Sequence, residues 1–530
     1  MRVKQSLIAA LAVVLLGLSG AVAAKDFRYA TTGDILGLDP HANNEGPTNT
    51  MKSNLYGRLV HRLPDLKLVP DLATNWERLN PTTWRFTLRQ GVTFHNGDAF
   101  SADDVVYSFK RQTQPSSEMS FALSSVADLK KIDSHTVEIV TKGPDPTLLL
   151  NMPNFYIVSM KYMEANKAFE VVRGAGKTNF ANLHANGTGP FKLVEWVQDN
   201  RVVLAPFDKY WDRNNLKSNV TKAIFRPIPN DATRVAALLS GEIDLMYPVP
   251  LQDIPRLKNE ASVEVLQGPE LRTIFLGMDQ WREESLDMPG SGKNPFKDVR
   301  VRKAFAHAID TQAIQRVVMR GASTPTGQMI APGINGFQPD LNTPYALNPE
   351  MSKKLLAEAG YPTGFPVTLD CPNDRYVNDE AICTAVVPML ERIGIKVRLN
   401  AQTKSLHFNK IGKAQKNNTN FYMLGWTPGS YDAYNVLQNI MSMDGDGQGT
   451  WNSGHYSNPR VEELTDEIAT EVDENKRDAM IREAFKIHQD EVGHIPLHQQ
   501  ALAWGISKKT VAKVWQRPFN DVDLRTVIMK

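Results

Sequence analysis

The N-terminal stretch constrains this chain more than any other. Arg2 and Lys4 precede an apolar run from Leu7 to Leu18, and small residues follow through Gly20, Ala21, Val22, Ala23 and Ala24. This is the order of a cleaved export leader, with an A-x-A site at Ala21-Val22-Ala23 and cleavage expected after Ala23. A membrane anchor is the competing reading, but about 12 apolar residues fall short of the roughly 20 that span a bilayer. No Cys stands near the cleavage point, so a lipid anchor is disfavoured, and no later run is long enough to span. The mature chain is expected to fold as a soluble protein in a Gram-negative periplasm.

An oxidising compartment changes the meaning of the 2 Cys. Cys371 closes a segment from Val367 that reads as a strand, and Cys383 lies in a stretch from Asp379 to Ile393 that reads as a helix. A disulfide between them is favoured over two buried thiols, and so short a closed loop would add about 3 kcal/mol. At roughly 100–200 residues per domain, 530 residues argue for two or three domains. Removing the leader takes away Arg2 and Lys4 and leaves as many cations as anions, with no long run of either sign. A nucleic-acid binder usually shows a concentrated basic face, so that class is disfavoured.

Strands and helices alternate along the chain, which predicts a mixed α/β architecture. Phe27–Ala30, Trp84–Leu88, Val137–Val140 and Val202–Leu204 read as strands. Ser101 is a good N-cap, with Asp104 near the positive end of the helix it opens. Val235, Leu238 and Leu239 form a stripe that ends at Gly241, a C-cap. Helices are also expected over 298–308, after Asp310 and over 351–359, and Asn458-Pro459 marks the start of another.

Several stretches resemble chemical motifs without completing them. Gly174-Ala175-Gly176-Lys177-Thr178 looks like the end of a phosphate loop, but the first Gly of that pattern is Val171 here. Asp444-Gly445-Asp446-Gly447-Gln448-Gly449 looks like the start of a calcium loop, but His455 stands where a bidentate Glu belongs. His494 and His498 are four apart, yet Pro496 between them favours an extended segment over a helical metal face. No nucleophile, base and oxyanion set is found, so no catalytic residue, metal ligand or cofactor is expected.

The informative constellation begins at Leu72-Ala73-Thr74-Asn75-Trp76-Glu77. It runs through Trp84-Arg85-Phe86-Thr87-Leu88-Arg89-Gln90-Gly91-Val92-Thr93-Phe94-His95-Asn96-Gly97-Asp98 to Phe100-Ser101-Ala102-Asp103-Asp104. Gly187-Thr188-Gly189-Pro190-Phe191, Tyr210-Trp211, Gly241-Glu242-Ile243-Asp244, Val299-Arg300-Val301-Arg302-Lys303-Ala304 and Gly394-Ile395-Lys396-Val397 follow in order. Together they resemble the extracellular solute-binding proteins, family 5, which deliver peptides, nickel and related solutes to ABC importers. Physically the signature reads as scaffold: an alternating strand, a turn at Asn96-Gly97 and a capped helix.

The resemblance implies an α/β, two-lobed periplasmic-binding-protein fold with a discontinuous first lobe and an extra subdomain. After the leader (1–23), lobe I would comprise 24–56, 187–279 and 496–530, the subdomain 57–186, and lobe II 280–495. A ligand would be trapped between the lobes by hinge closure and handed to an inner-membrane ABC permease. In peptide-binding relatives an Asp three residues after the Trp of a Gly-Trp segment pairs with the ligand's ammonium. Here, after Gly425-Trp426, that position is Gly429, and Asp432 is a candidate replacement.

Trp426 and Tyr431 fit a cleft wall, although Trp426 also fits an ordinary core. Arg375 lies where relatives place an Arg for the ligand carboxylate, with a solvated surface Arg as the competing reading. Asn44 and Glu45 belong to the first-lobe loop that often lines the cleft. The leading expectation is a monomeric periplasmic receptor for di- or oligopeptides. The alternative ligand is an opine, a modified amino acid or a chelated metal, because the amino-group anchor is missing.

Overall fold

The protein is described by a computed structural model covering residues 25–530 apart from 174–176, 413–415, 444, 446 and 447. The export leader, most of the phosphate-loop-like stretch and three positions of the calcium-like loop lie outside the described residues. The chain is a two-lobed α/β protein organised around one sheet of 11 strands.

Two long antiparallel strands, Val263–Met278 and His494–Ser507, run through the middle of that sheet and join its halves. On one side stand Leu245–Met246, Asp26–Thr31, Lys222–Pro227, Arg201–Pro206 and Phe191–Val197. On the other stand Phe421–Trp426, Pro366–Pro372 and Lys396–Gln402. The pairing of the two long strands slips between Pro269 and Thr273 and again between Ile274 and Phe275. Such bulges bend a strand and re-aim its side chains. Here the bend falls where the chain passes from one half of the sheet to the other.

Each half has a parallel core. Asp26–Thr31 pairs in parallel with Lys222–Pro227, and Pro366–Pro372 pairs in parallel with both Lys396–Gln402 and Phe421–Trp426. Parallel sheets are covered on both faces; accordingly every residue from Phe421 to Gly425 is buried. One apolar cluster gathers Phe27, Tyr29, Phe225 and Trp504 in the first half; a second, around Phe296, Phe305, Phe365 and Phe421, continues across the sheet to Ala30, Leu238 and Met246. Cys371 and Cys383 are bonded, with Cα atoms 6.6 Å apart, and tie the strand Pro366–Pro372 to the helix Asp379–Glu391.

A separate four-stranded antiparallel sheet orders Ala73–Asn80, Thr83–Leu88, Thr136–Thr141 and Val126–Asp133, with Phe86, Val105, Val137 and Ile139 in its core. Its helix Ala102–Gln112 starts at Ser101 in a full capping box with Asp104. The helix Asp231–Ser240 stops at Gly241, whose φ of 79° a side chain would strain. The helix expected over 351–359 begins earlier, at Pro349, because Asn348 caps it by accepting from the Met351 N–H. His494 and His498 lie on one strand, and a ring nitrogen of His494 is 3.0 Å from one of His488.

Candidate functional site

In an open α/β sheet the ligand crevice lies beyond the carboxyl ends of the parallel strands. Both halves of this sheet point those ends at each other. After the strand Pro366–Pro372, the Asp379 carboxylate accepts from the backbone N–H groups of Arg375 and Tyr376, both at 2.9 Å, and folds the connecting loop. That loop holds the Arg375 guanidinium 5.1 Å from the Tyr376 ring. Desolvation by the cleft walls and the neighbouring Arg272 push the Arg375 pKa down. Among the described residues its guanidinium makes no hydrogen bond or ion pair. Tyr376 in turn lies flat on the next strand, where Gly425 donates its N–H to the phenol oxygen at 2.9 Å. A Cβ at Gly425 would come within 2.8 Å of that ring.

The strand Phe421–Trp426 runs out into the wall that carries Trp426, Gly429 and Tyr431. Trp426 is half-buried and donates from Nε1 to Asn435 at 2.9 Å. Tyr431 adopts a left-handed φ of 60°, a strained conformation for a bulky residue. Its ring is held between the Arg62 guanidinium at 4.2 Å and the Phe519 ring at 4.8 Å. Gly429 accepts at its carbonyl from Asn154 Nδ2 at 3.3 Å, a contact from the four-stranded subdomain.

Asp432 is a correction to the sequence reading: it does not reach the cleft. It is fully buried as the N-cap of a short helix, accepting from Tyr434 N–H at 2.8 Å. Its oxygens also accept from Arg477 at 2.9 and 2.7 Å and from Asn335 at 2.6 Å. With its acceptor sites committed, it secures the wall from behind and has no oxygen for a ligand.

The opposite wall starts from the strand Asp26–Thr31. The loop after it is clamped by Arg111 of the capped helix, which donates to both oxygens of Asp39 at 2.7 and 2.6 Å. The loop ends at Asn44 and Glu45. Glu45 caps the helix Gly46–Leu55, accepting from the Thr48 N–H at 2.8 Å and from its hydroxyl, and burial raises its pKa. The signature helix therefore acts on the site at a distance, by holding this loop.

Between the walls lies a cavity of about 460 Å³, within the range of small-molecule sites. Arg58, Arg62, Arg272, Arg375 and Arg517 line it, against the acids Glu45, Glu270 and Asp521. Aromatic faces come from Tyr156, Tyr376, Trp426, Tyr431, Trp451 and Phe519. A cleft with surplus guanidinium and several rings fits a small ligand with an anionic group and apolar parts.

The family model described as bacterial extracellular solute-binding proteins, family 5 Middle, matches residues 67–448. The chain belongs to this family. The dipeptide-binding protein of Escherichia coli (strain K12) is 28% identical over 94% of this chain and 92% of its own length. The glutathione-binding protein of Salmonella typhi is 27% identical over 95% of this chain and 96% of its own. Among solved structures, one from Haemophilus parasuis superposes with a TM-score of 0.80 at 25% identity, over 95% of this chain and all of that one.

Within this solute-binding protein, Asn44, Glu45, Arg375, Trp426, Gly429 and Tyr431 line one cavity. The sequence reading did not include Glu270, Arg272, Arg62, Asn154, Arg517 or Asp521. Glu270 and Arg272 reach the cleft from the bulge between Pro269 and Thr273. Arg517 and Asp521 come from the C-terminal segment. Neither location leaves a periodic trace in the chain; a Pro-containing break at 269 inside an apolar strand was the only local signal. No helix among the described residues is long and apolar enough to cross a membrane.

Proposed function

We propose that this protein is the periplasmic receptor of an ABC importer, capturing di- or oligopeptides in the cleft and delivering them to an inner-membrane permease. It acts as a monomer after cleavage near Ala23, and no bond is made or broken. The lobes close about the two crossing strands, with lobe II spanning about 280–495. The observation that carries the reading is Arg375. Arg375 is solvent-exposed on the cavity wall, its guanidinium lies over the Tyr376 ring, and it makes no hydrogen bond or ion pair among the described residues. A planar guanidinium so placed takes a carboxylate in bidentate fashion. The aromatic walls supply area for side chains at low conformational cost.

A second reading is supported by Gly429, which brings no acid to the usual ammonium position. Under it the ligand is an opine or another anionic, peptide-like solute. A thermal-shift screen of the ligand-stripped mature protein separates the two, using dipeptides, tripeptides including glutathione, opines and nickel complexes. Ligand at about 100 times Kd adds roughly 2.7 kcal/mol. Selective shifts with peptides are expected. Shifts confined to opines would replace the peptide reading with the second one, and none with either class would refute both.

A further inference from the structure

A hairpin outside the central sheet reaches the wall on the far side of the cleft. Its strands Val60–Arg62 and Leu68–Pro70 pair antiparallel, with Val60 in the core of the four-stranded subdomain and Leu68 packed against that core. Leu66 in the connecting turn holds a left-handed φ of 73°. Its side chain packs against the apolar cluster that contains Tyr422 and Leu424 of the second half of the sheet. A Cβ at Gly333, whose φ is 92°, would come within 2.8 Å of the Leu66 side chain. A glycine suits both that backbone and so close an approach.

The same hairpin makes a second contact. Arg62 donates to the Leu66 carbonyl at 3.2 Å and to the Leu150 carbonyl at 2.8 Å, which braces the turn and lays the guanidinium over the Tyr431 ring. Tyr431 is left-handed as well, so Arg62 joins two bulky residues in a sparsely populated conformation across one boundary. Strain of this kind persists where the surroundings over-determine it, and it gathers at clamps and switches. On the far side the two contacts share a frame. Asn335, two residues beyond Gly333, donates its N–H to the Tyr431 carbonyl at 3.0 Å and its amide to Asp432 at 2.6 Å. Leu66 and Gly333 themselves stand outside the cavity lining.

We propose that the hairpin turn is a clasp, in which Leu66 against Gly333 and Arg62 over Tyr431 hold the cleft closed and set the balance between its open and closed forms. This rests on the hinge closure of the receptor reading and is independent of the ligand's class. A contact made only in the closed form changes the apparent affinity of every ligand by one common factor, because it changes the population competent to hold any of them. The clasp therefore tunes affinity without touching selectivity.

The test is Leu66→Gly, which removes the side chain at a position whose backbone glycine favours in the open and closed forms alike. Ala-Ala, Ala-Leu, glutathione and octopine are titrated into the stripped wild-type protein and the variant. Losing the partly buried leucine contact should weaken every ligand that wild type binds by about 5-fold, with their ranking unchanged. Unchanged or tighter binding by a folded variant would overturn the proposal. So would a loss confined to some of the ligands, since Leu66 would then act on the ligand and not on closure. Hydrogen exchange on wild type supplies a second reading that needs no variant: a bound ligand should slow exchange over 63–67 and 331–335. No added protection there would overturn the clasp even if Leu66→Gly did not fold. Wild type binding none of the four would remove the receptor reading, and the clasp with it.

Discussion

Replacing Arg477 by Met tests how the cleft wall is held. Arg477 is 4% exposed and donates two hydrogen bonds to Asp432, itself fully buried, and one from Nε to the Ile468 carbonyl at 3.1 Å. The variant leaves Asp432 buried with only the Asn335 amide and the Tyr434 N–H as donors. Breaking one side of a buried pair costs about 3–5 kcal/mol, mostly as the penalty of the stranded charge. Asp432→Asn in the same chain removes that charge while keeping an N-capping oxygen, so the double variant should recover most of the loss. Urea unfolding of the ligand-stripped protein measures the loss, and hydrogen exchange over residues 427–436 locates it. A single variant within about 1 kcal/mol of wild type, or a double variant no better than the single, would refute this account of the wall.

Two further outcomes follow from the same packing. Gly425→Ala drives a Cβ into the Tyr376 ring and should cost about 1–3 kcal/mol while weakening ligand binding, because Arg375 rests on that ring; unchanged affinity in thermal-shift titration would count against it. Lys52 is buried, donating to the carbonyls of Asn43 at 2.9 Å and Pro40 at 3.3 Å, and burial pushes its pKa down to about 7. From about pH 7 to about pH 10 the unfolded chain then holds a proton that the folded chain does not, so stability rises with pH across that window. Lys52→Met should lose this rise, and a wild-type-minus-variant stability profile flat across the window would contradict it.

The parts legible in the sequence are those fixed by local chemistry. Ser101 with Asp104, Asn458 before Pro459 and Gly241 after Leu238 mark helix ends because a cap needs only neighbouring residues. Alternation over 84–88 reflects one buried face of a strand with Phe86 inside. The site was legible only through position in a family pattern, which led to Arg375, Trp426, Gly429 and Tyr431. It went astray at Asp432, where an Asp ahead of a helical start was an N-cap and its Arg partner lay 45 residues on. Glu270, Arg272, Arg517 and Asp521 meet only through the crossing strands and the C-terminal return, so their convergence is tertiary and leaves no spacing to read.

The central claim is that a peptide carboxylate sits on Arg375. Calorimetric titration of a dipeptide that shifts the melting point, alongside its C-terminal amide, tests this in wild type and Arg375→Ala. Amidation should weaken binding to wild type by about 2 kcal/mol or more and should make little further difference in the variant. Full discrimination against the amide in a folded Arg375→Ala protein would contradict the claim and move the carboxylate to another guanidinium of the cleft.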